Sequence, residues 1–147
     1  YLKNSFSYCF FGRKGYKPFL EANTLKKKLI LGNGKEKIKF VPIDVKHGAI
    51  NCTGYIFNKV AYISDCNGIS KTVLNKMTNL NTLIIDCLKI EKHPTHFSLN
   101  EVLRLNEILK PRKTILTNLH SDLDFNFLLK KLPRNVKPAY DGLKINL

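Results

Sequence analysis

The sequence lacks several features that would assign it to a familiar functional class. Its 147 residues hold no apolar run close to the roughly 20 residues that a membrane helix needs. They show no signal-peptide pattern, and no two of the four cysteines have the C-x-x-C spacing of a zinc ribbon. These absences argue against a membrane-spanning protein and a structural zinc module. They predict a cytoplasmic protein whose cysteines are buried, reduced thiols.

Arginine is also scarce, although the chain is strongly basic. The formal net charge is +14, but 21 of the basic residues are lysine and only 4 are arginine. Arginine is the side chain that most often makes bidentate contacts to phosphates and bases. Most of the lysines are therefore predicted to cover a solvated surface. A phosphate-containing ligand is the alternative, and a nucleic-acid-binding domain is less favoured.

Histidine and methionine are rare, and their positions matter. No histidine occurs before His47, and Met77 is the only methionine, so the chain opens at Tyr1 without a translation start. We therefore expect either that the N-terminus was removed or that the chain is a piece of a longer reading frame. The length of 147 residues is that of a single domain with a real core.

The order of patterns along the chain predicts an α/β fold with a mixed sheet. Hairpins come first, and strands then alternate with helices, one of which begins at the capping box Ser98–Glu101. Pro42 predicts that the strand around it lies at an edge or ends there. The predicted strands are residues 6–11, 29–31, 38–45, 52–57, 60–63, 82–85, 114–116 and 143–147. The predicted helices are residues 69–77, one from Leu99 to before Pro111, and one from Ser121 or Asp122 to Lys131.

Residues that can bind a metal or move a proton follow several of the apolar runs: His47, Asp65, Asp86 and His96. Each has an ordinary explanation, because a lone histidine is most often a surface residue and an aspartate after a strand often caps a turn. His93 and His96 could chelate a metal together, but Pro94 keeps that loop extended. His96 as a single proton donor beside a helix start is the favoured interpretation.

Six short segments of the chain stand in a specific order: His47-Gly48, Tyr62-Ile63-Ser64-Asp65, Ile84-Ile85-Asp86, His93-Pro94-Thr95-His96-Phe97-Ser98-Leu99, Ile115-Leu116-Thr117 and Tyr140-Asp141-Gly142. This ordered set resembles the metallo-β-lactamase superfamily, and within it the phosphoribosyl cyclic phosphate phosphodiesterases. The tRNA 3′-processing endonucleases are a more distant likeness. The resemblance covers residues 40–147 well and residues 1–39 only loosely.

The resemblance implies the C-terminal portion of an αββα sandwich and a two-metal hydrolase of phosphodiesters. His47 matches a metal ligand, and Asp65 matches the carboxylate that bridges two zinc or manganese ions. His96 matches the histidine that protonates the leaving group, and Asp141 matches an acid that orients a ligand. Two such cations would activate a water and absorb charge on the phosphate oxygens.

Two departures from the family pattern weaken that implication. The family's H-x-H-x-D-H cluster is absent, because no histidine precedes His47. The family's L-T-H-x-S-H motif has Asn118 at its ligand position, and His120 falls one place before its second histidine. An amide is a poor zinc ligand compared with imidazole. We therefore expect weak metal binding or none, and little or no hydrolysis by this chain.

Three functions stay open on these observations. The chain could be a truncated phosphodiesterase, a catalytically dead relative that serves as a binding module or, least favoured, a basic nucleic-acid-binding domain. In the first two cases the inner face of the sheet would lie bare. Soluble monomers avoid large exposed apolar patches, so we expect a homodimer or larger assembly that buries this face.

Overall fold

The computed structural model describes residues 1–146 and contains a seven-stranded sheet whose strands lie in chain order. Strands β1 to β4 pair antiparallel, and β4 to β7 pair parallel. Short turns suit antiparallel neighbours, whereas parallel neighbours need longer crossovers, which here contain helices. The predicted α/β fold with a mixed sheet is confirmed. The strands are β1 (Leu29–Leu31), β2 (Ile38–His47), β3 (Ile50–Phe57), β4 (Val60–Ile63), β5 (Thr82–Asp86), β6 (Lys113–Thr117) and β7 (Val136–Pro138).

The helices of the parallel half all begin at a side-chain cap. Ser70 caps α3, Ser98 caps α4 and Asp124 caps α5, in each case by accepting a hydrogen bond from a free N–H of the first turn. Within residues 1–146, no helix has both the length and the apolar character that crossing a bilayer requires. The helices are α1 (Leu2–Ser5), α2 (Ser7–Phe11), α3 (Lys71–Leu74), α4 (Leu99–Leu109) and α5 (Phe125–Lys131), with a short 3-10 helix at Gly34–Glu36.

The two predicted hairpins are confirmed. Asn58 and Lys59 join β3 to β4 with φ angles of 43° and 62°, the positive values that a two-residue turn requires. Strand β1 pairs with β2 only over Ile38–Phe40. Pro42 therefore lies beyond the reach of β1, where β2 pairs with β3 alone, and its missing N–H interrupts no pairing with β1.

The strand expected at residues 6–11 is wrong. This segment forms α1 and α2, with local hydrogen bonds such as Cys9 N–H to Phe6 O at 2.9 Å. The strand preference of aromatic residues comes from packing on a half-buried sheet surface. Of the residues in α1 and α2 only Cys9 is buried, and none of them pairs with a strand of the described chain. The aromatic residues of this segment therefore have no sheet surface to pack against, and nothing favours a strand there.

The predicted final strand, residues 143–147, is also wrong for the part that the structure describes. Residues 143–146 form no strand, and Leu147 lies outside the described residues. The sheet is completed instead by β7, whose Val136 pairs with Thr114 of β6. Strand β7 has only three residues and ends in a proline, so it carries no detectable alternation in the sequence.

Two helices are shorter than predicted. The helix expected at residues 69–77 ends after Leu74, because Lys76 and Met77 donate to the carbonyl three residues back instead of four. The last helix begins at Phe125 and not at Ser121 or Asp122, because the Asp124 carboxylate accepts from Phe127 N–H at 2.7 Å. In both cases a local hydrogen bond sets the boundary within a few residues of the expected one.

The helices cover one face of the sheet and leave apolar side chains on the other. The main core joins sheet residues to residues of α3, α4 and α5: Ile43, Val45, Ile63, Leu83, Ile85, Leu116, Val73, Val102, Leu105 and Leu128. Side chains alternate along a strand, so Phe40, Tyr55 and Tyr62 point to the opposite face. There they line an apolar groove together with Leu29, Leu31 and Phe57.

The capping box of α4 makes a measurable contribution to stability. Ser98 Oγ accepts from Glu101 N–H, and the Glu101 carboxylate accepts from Ser98 N–H at 3.0 Å, as predicted. Ser98→Ala should lower the free energy of unfolding by about 1 kcal/mol, because a helix-end N–H loses its acceptor. Urea denaturation followed by circular dichroism measures this change. The matched control is Asn100→Ala at an exposed position of the same turn, and an equal loss in both variants would contradict this role.

Candidate metal centre

Three of the candidate residues meet at one edge of the sheet. His47 is the last residue of β2, Asp65 lies two residues after β4, and His96 lies in the loop between β5 and α4. Each offers one ligand atom, and the three atoms all lie within 4.8 Å of one another. The three side chains are half-buried. Residues separated by up to 49 positions thus form one cluster of two imidazoles and a carboxylate.

His47 is oriented by the loop that carries His96. The Nδ1 atom of His47 donates to the Thr95 carbonyl oxygen at 2.9 Å, which leaves Nε2 as the free ring nitrogen. Gly48 permits this approach, since its φ of +63° lies in the left-handed region. A Cβ atom at Gly48 would lie 2.7 Å from Thr95 Cγ2. The left-handed backbone and the close approach of Thr95 both favour glycine after His47.

His96 is held by a buried carboxylate. Its Nδ1 atom lies 2.7 Å from Asp86 Oδ2, so the carboxylate accepts the Nδ1 proton and Nε2 is left free. Asp86 is 0% exposed, and the same oxygen also accepts from Cys66 N–H at 2.9 Å. This carboxylate thus fixes both the ring of His96 and the backbone directly after Asp65.

Two buried cysteines lie beside this carboxylate. Burial raises the pKa of the Cys66 thiol to about 12, and burial followed by the charge of Asp86 does the same for the pKa of Cys87. Both thiols therefore stay protonated at neutral pH. Neither sulfur atom belongs to the group formed by His47, Asp65 and His96.

The remaining candidates lie around the cluster without joining it. Asn118, with a φ of 61°, donates to Asp86 Oδ1 at 3.1 Å and approaches His96 Nδ1 at 3.3 Å. His120 is exposed and lies 3.1 Å from Asp122 Oδ1. Asp141 forms a turn with Gly142 and lines an open cavity of about 400 Å³ that Asn118 also borders. The roles assigned to these residues stay predictions.

His93 packs beside the cluster and not within it. Its ring centre lies 5.2 Å from that of His96, and its Nδ1 atom lies 3.2 Å from Thr95 Oγ1. Among the described residues, the group that could hold an ion consists of His47, Asp65 and His96. The structure therefore favours a cluster of distant residues over the local pair of His93 and His96.

The donor set fits a divalent metal ion such as zinc or manganese. Two imidazoles and one carboxylate are a common ligand set of catalytic metals, which keep a further position open for water or substrate. Donors about 2.0–2.2 Å from an ion lie at most about 4.4 Å apart, so small side-chain adjustments would close this cluster around one ion. The Asp86–His96 hydrogen bond adds the carboxylate partner that metal-bound histidines usually have.

Sequence patterns singled out all three residues of this cluster, His47 and Asp65 as expected ligands and His96 as an expected proton donor, but they missed the contacts of Asp86. The residues that Asp86 contacts are Cys66, His96 and Asn118, which lie 20, 10 and 32 positions away. No spacing rule links such positions. The only available signal was that Asp86 ends an apolar strand parallel to the one before Asp65.

Comparison with known proteins shows the family of the chain. A family profile described as a beta-lactamase superfamily domain matches residues 1–118. The chain therefore belongs to the metallo-β-lactamase superfamily. Its branch is the PhnP-like one: the chain is 29% identical to a diphosphatase from the PhnP family, with a TM-score of 0.83 over 98% of this chain and 52% of that one.

More distant structures share the fold. The metallo-β-lactamase fold protein YhfI from Bacillus subtilis is 16% identical, with a TM-score of 0.65 over 87% of this chain and 56% of that one. The short form of human tRNase Z is 12% identical, with a TM-score of 0.60 over 82% of this chain and 46% of that one. The chain thus spans about half the length of the solved structures that it matches.

The name of one curated relative indicates a transferase and not a phosphate hydrolase. An octanoyltransferase from Porphyromonas gingivalis (strain ATCC BAA-308 / W83) is 24% identical over 105 residues, which are 70% of this chain and 21% of that protein. The chain therefore spans about a fifth of that relative. Most of that relative lies outside the matched region, and its name refers to the whole protein.

Proposed function

We propose that this chain carries part of the site of a metal-dependent hydrolase that acts on phosphate esters or anhydrides. The single observation that supports the proposal most directly is the cluster of His47, Asp65 and His96, with His96 held by Asp86. The similarity to a PhnP-family diphosphatase supports phosphate chemistry. The net charge of +14 also favours the approach of an anionic substrate.

The chemistry divides between the donors and the proton source. His47 and Asp65 would hold the metal, which when bound lowers the pKa of a water and offsets charge on phosphate oxygens. His96 would deliver a proton from Nε2 to the leaving-group oxygen, while Asp86 keeps its Nδ1 proton in place. The Nε2 atom cannot both bind a metal and donate a proton. In this proposal Nε2 of His96 would be the third metal ligand in the substrate-free chain, and His96 would act as the acid once substrate is bound.

We further propose that the chain by itself hydrolyses phosphate esters very slowly or not at all. The H-x-H-x-D-H cluster is absent from the sequence, and the amide of Asn118 stands at a family ligand position. Two or three protein ligands without these groups would hold a metal weakly. The same observations support the second candidate function, a catalytically dead binding module that retains affinity for a metal or a phosphate group.

Metal titration and a hydrolysis assay test the proposal together. We expect weak, saturable binding of Zn²⁺ or Mn²⁺ at a single site, measured by calorimetry on metal-stripped protein. With bis(p-nitrophenyl) phosphate and saturating Mn²⁺, the rate should lie close to background. His47→Ala should weaken binding by about 10-fold or more, because it removes a ligand. Asp44→Ala, which removes an exposed carboxylate from β2, is the control, and equal binding by wild type and His47→Ala would contradict the site.

The apolar face opposite the helices supports a further proposal, a homodimer or larger assembly. Leu31, Phe40, Tyr55 and Tyr62 line one groove on that face, and Tyr62 is 41% exposed although it lies in a central strand. Burying this face in an assembly would remove the patch from water. Light scattering coupled to size-exclusion chromatography should give a mass of at least two chains. A mass of one chain at all concentrations would contradict the assembly.

A further inference from the structure

We infer that Asn67 is a positioning residue that sets the spacing of the three loops that carry His47, Asp65 and His96. This inference rests on the proposed metal site, because it assigns a reason for the geometry of that site. The carboxamide group of Asn67 lies between these loops. The residue is half-buried and follows the two residues Asp65 and Cys66.

The Asn67 side chain contacts both of the other loops. Its Oδ1 atom accepts from Gly48 N–H at 3.0 Å, and its Nδ2 atom donates to Pro94 O at 2.6 Å. Gly48 directly follows the first histidine of the cluster, and Pro94 lies two residues before the second. Asn67 itself lies two residues after the carboxylate of the cluster. One planar group therefore joins all three donor-bearing loops.

A carboxamide is suited to this contact because it has a donor and an acceptor on one rigid group. Gly48 N–H can only donate and Pro94 O can only accept, so the two partners fix which atom of Asn67 faces which loop. An aspartate would offer acceptors to both and would repel the Pro94 oxygen. An alanine would contact neither group.

Backbone hydrogen bonds also hold the Asp65 loop to the sheet, and they show which contact depends on the Asn67 side chain alone. Lys46 N–H donates to Gly68 O, and Asn67 N–H donates to Lys46 O, both at 2.8 Å, so the backbone alone joins this loop to β2. Among the described residues, the Asn67 side chain provides the hydrogen bond from this loop to Pro94. Its loss should therefore leave the fold intact and change mainly the position of His96 relative to Asp65.

Cobalt titration of the full chain tests this role. Bound Co²⁺ is followed by its visible absorption, which depends on ligand number and geometry. We expect Asn67→Ala to bind Co²⁺ about 10- to 100-fold more weakly than wild type, as for other residues that orient metal ligands. The matched control is Asn126→Ala, on the exposed surface of α5. The melting temperature of metal-free Asn67→Ala should stay close to that of the control.

Asn67→Asp provides a second variant with the same shape. It keeps an acceptor for Gly48 N–H and removes the donor to Pro94 O. Added negative charge near the site would by itself tighten Co²⁺ binding, whereas loss of positioning weakens it, so the two effects have opposite signs. Weaker binding by both variants supports the inference. Binding equal to or tighter than that of Asn126→Ala in both variants would overturn it.

A metal-free measurement separates this inference from the proposed function. If wild type binds no Co²⁺, the proposed metal site fails, and the loop geometry is tested by NMR of the histidine Nδ1 protons. The His47 proton donates to Thr95 O, next to Pro94, so it should shift and exchange faster in Asn67→Ala than in Asn126→Ala. Identical His47 and His96 signals in these two variants would overturn the positioning role.

Discussion

Asp86→Ala is expected to destabilise the metal-free protein by about 2–4 kcal/mol, because it leaves two N–H groups in or near the core without an acceptor. The Asp86 side chain is 0% exposed, and its Oδ2 atom accepts from both Cys66 N–H and His96 Nδ1–H. Water cannot easily replace these contacts at a buried position. For a domain of this size, the melting temperature should fall by roughly 5–15 °C.

Asp86→Asn distinguishes the effect of Asp86 on stability from its effect on the geometry of the metal site. The amide has nearly the same volume but a single oxygen, and its NH₂ group would face the donor of Asn118. We expect a smaller loss of stability than for Asp86→Ala. Metal affinity should still fall by about 10- to 100-fold, because the neutral amide holds the His96 ring less firmly.

Thermal melts and zinc titrations of both variants test these expectations against Asp44→Ala, which removes an exposed carboxylate from β2. Asp44→Ala should change neither property by much. If Asp86→Ala melted within about 2 °C of Asp44→Ala, its hydrogen bonds would contribute less than buried contacts usually do. If Asp86→Asn bound zinc like wild type, the orientation of His96 would not depend on the carboxylate.

Local sequence features predicted much of the fold. The Asn58-Lys59 turn and the capping box at Ser98 and Glu101 were predicted because their partners lie within a few positions in the chain. The strand at residues 82–85 was predicted because an apolar run of that length suits a strand buried on both faces, and the structure extends it by one residue to Asp86. The α/β class follows from the order of these elements.

Features that depend on distant partners were not predicted. Aromatic residues before Phe11 suggested a strand, yet whether a strand forms there depends on a neighbouring strand that the local pattern cannot reveal. Strand β7 is too short for periodicity, and its place beside β6 is set by tertiary pairing. In the site, the order of motifs indicated His47 and Asp65, but the contacts of Asp86 and Asn67 join loops that are far apart in the chain.

The identity of residue 118 should have the largest effect on metal binding. Asn118 directly follows β6, at the same sheet edge where Asp86 ends β5, and its side chain reaches both Asp86 and His96. The resemblance of this segment to the family's L-T-H-x-S-H motif implies a histidine at this position. Imidazole binds zinc far better than a neutral amide does. The backbone also accepts the change, since histidine, like asparagine, is enriched at positive φ, and φ is 61° here.

Asn118→His is therefore expected to increase zinc affinity by about 100-fold or more, since losing even an outer partner of a metal ligand costs about 10- to 100-fold. Competition with a chromophoric chelator measures the change. Asn126→His adds an imidazole on exposed α5 and should give no gain, and His120→Ala tests whether the nearby histidine already serves as the ligand. A gain confined to Asn118→His would mean that the chain retains a metal site weakened at this position. Equal zinc affinities of Asn118→His and Asn126→His would instead mean that residue 118 does not take part in metal binding with His47, Asp65 and His96. That result would favour a binding module that has no metal-dependent activity.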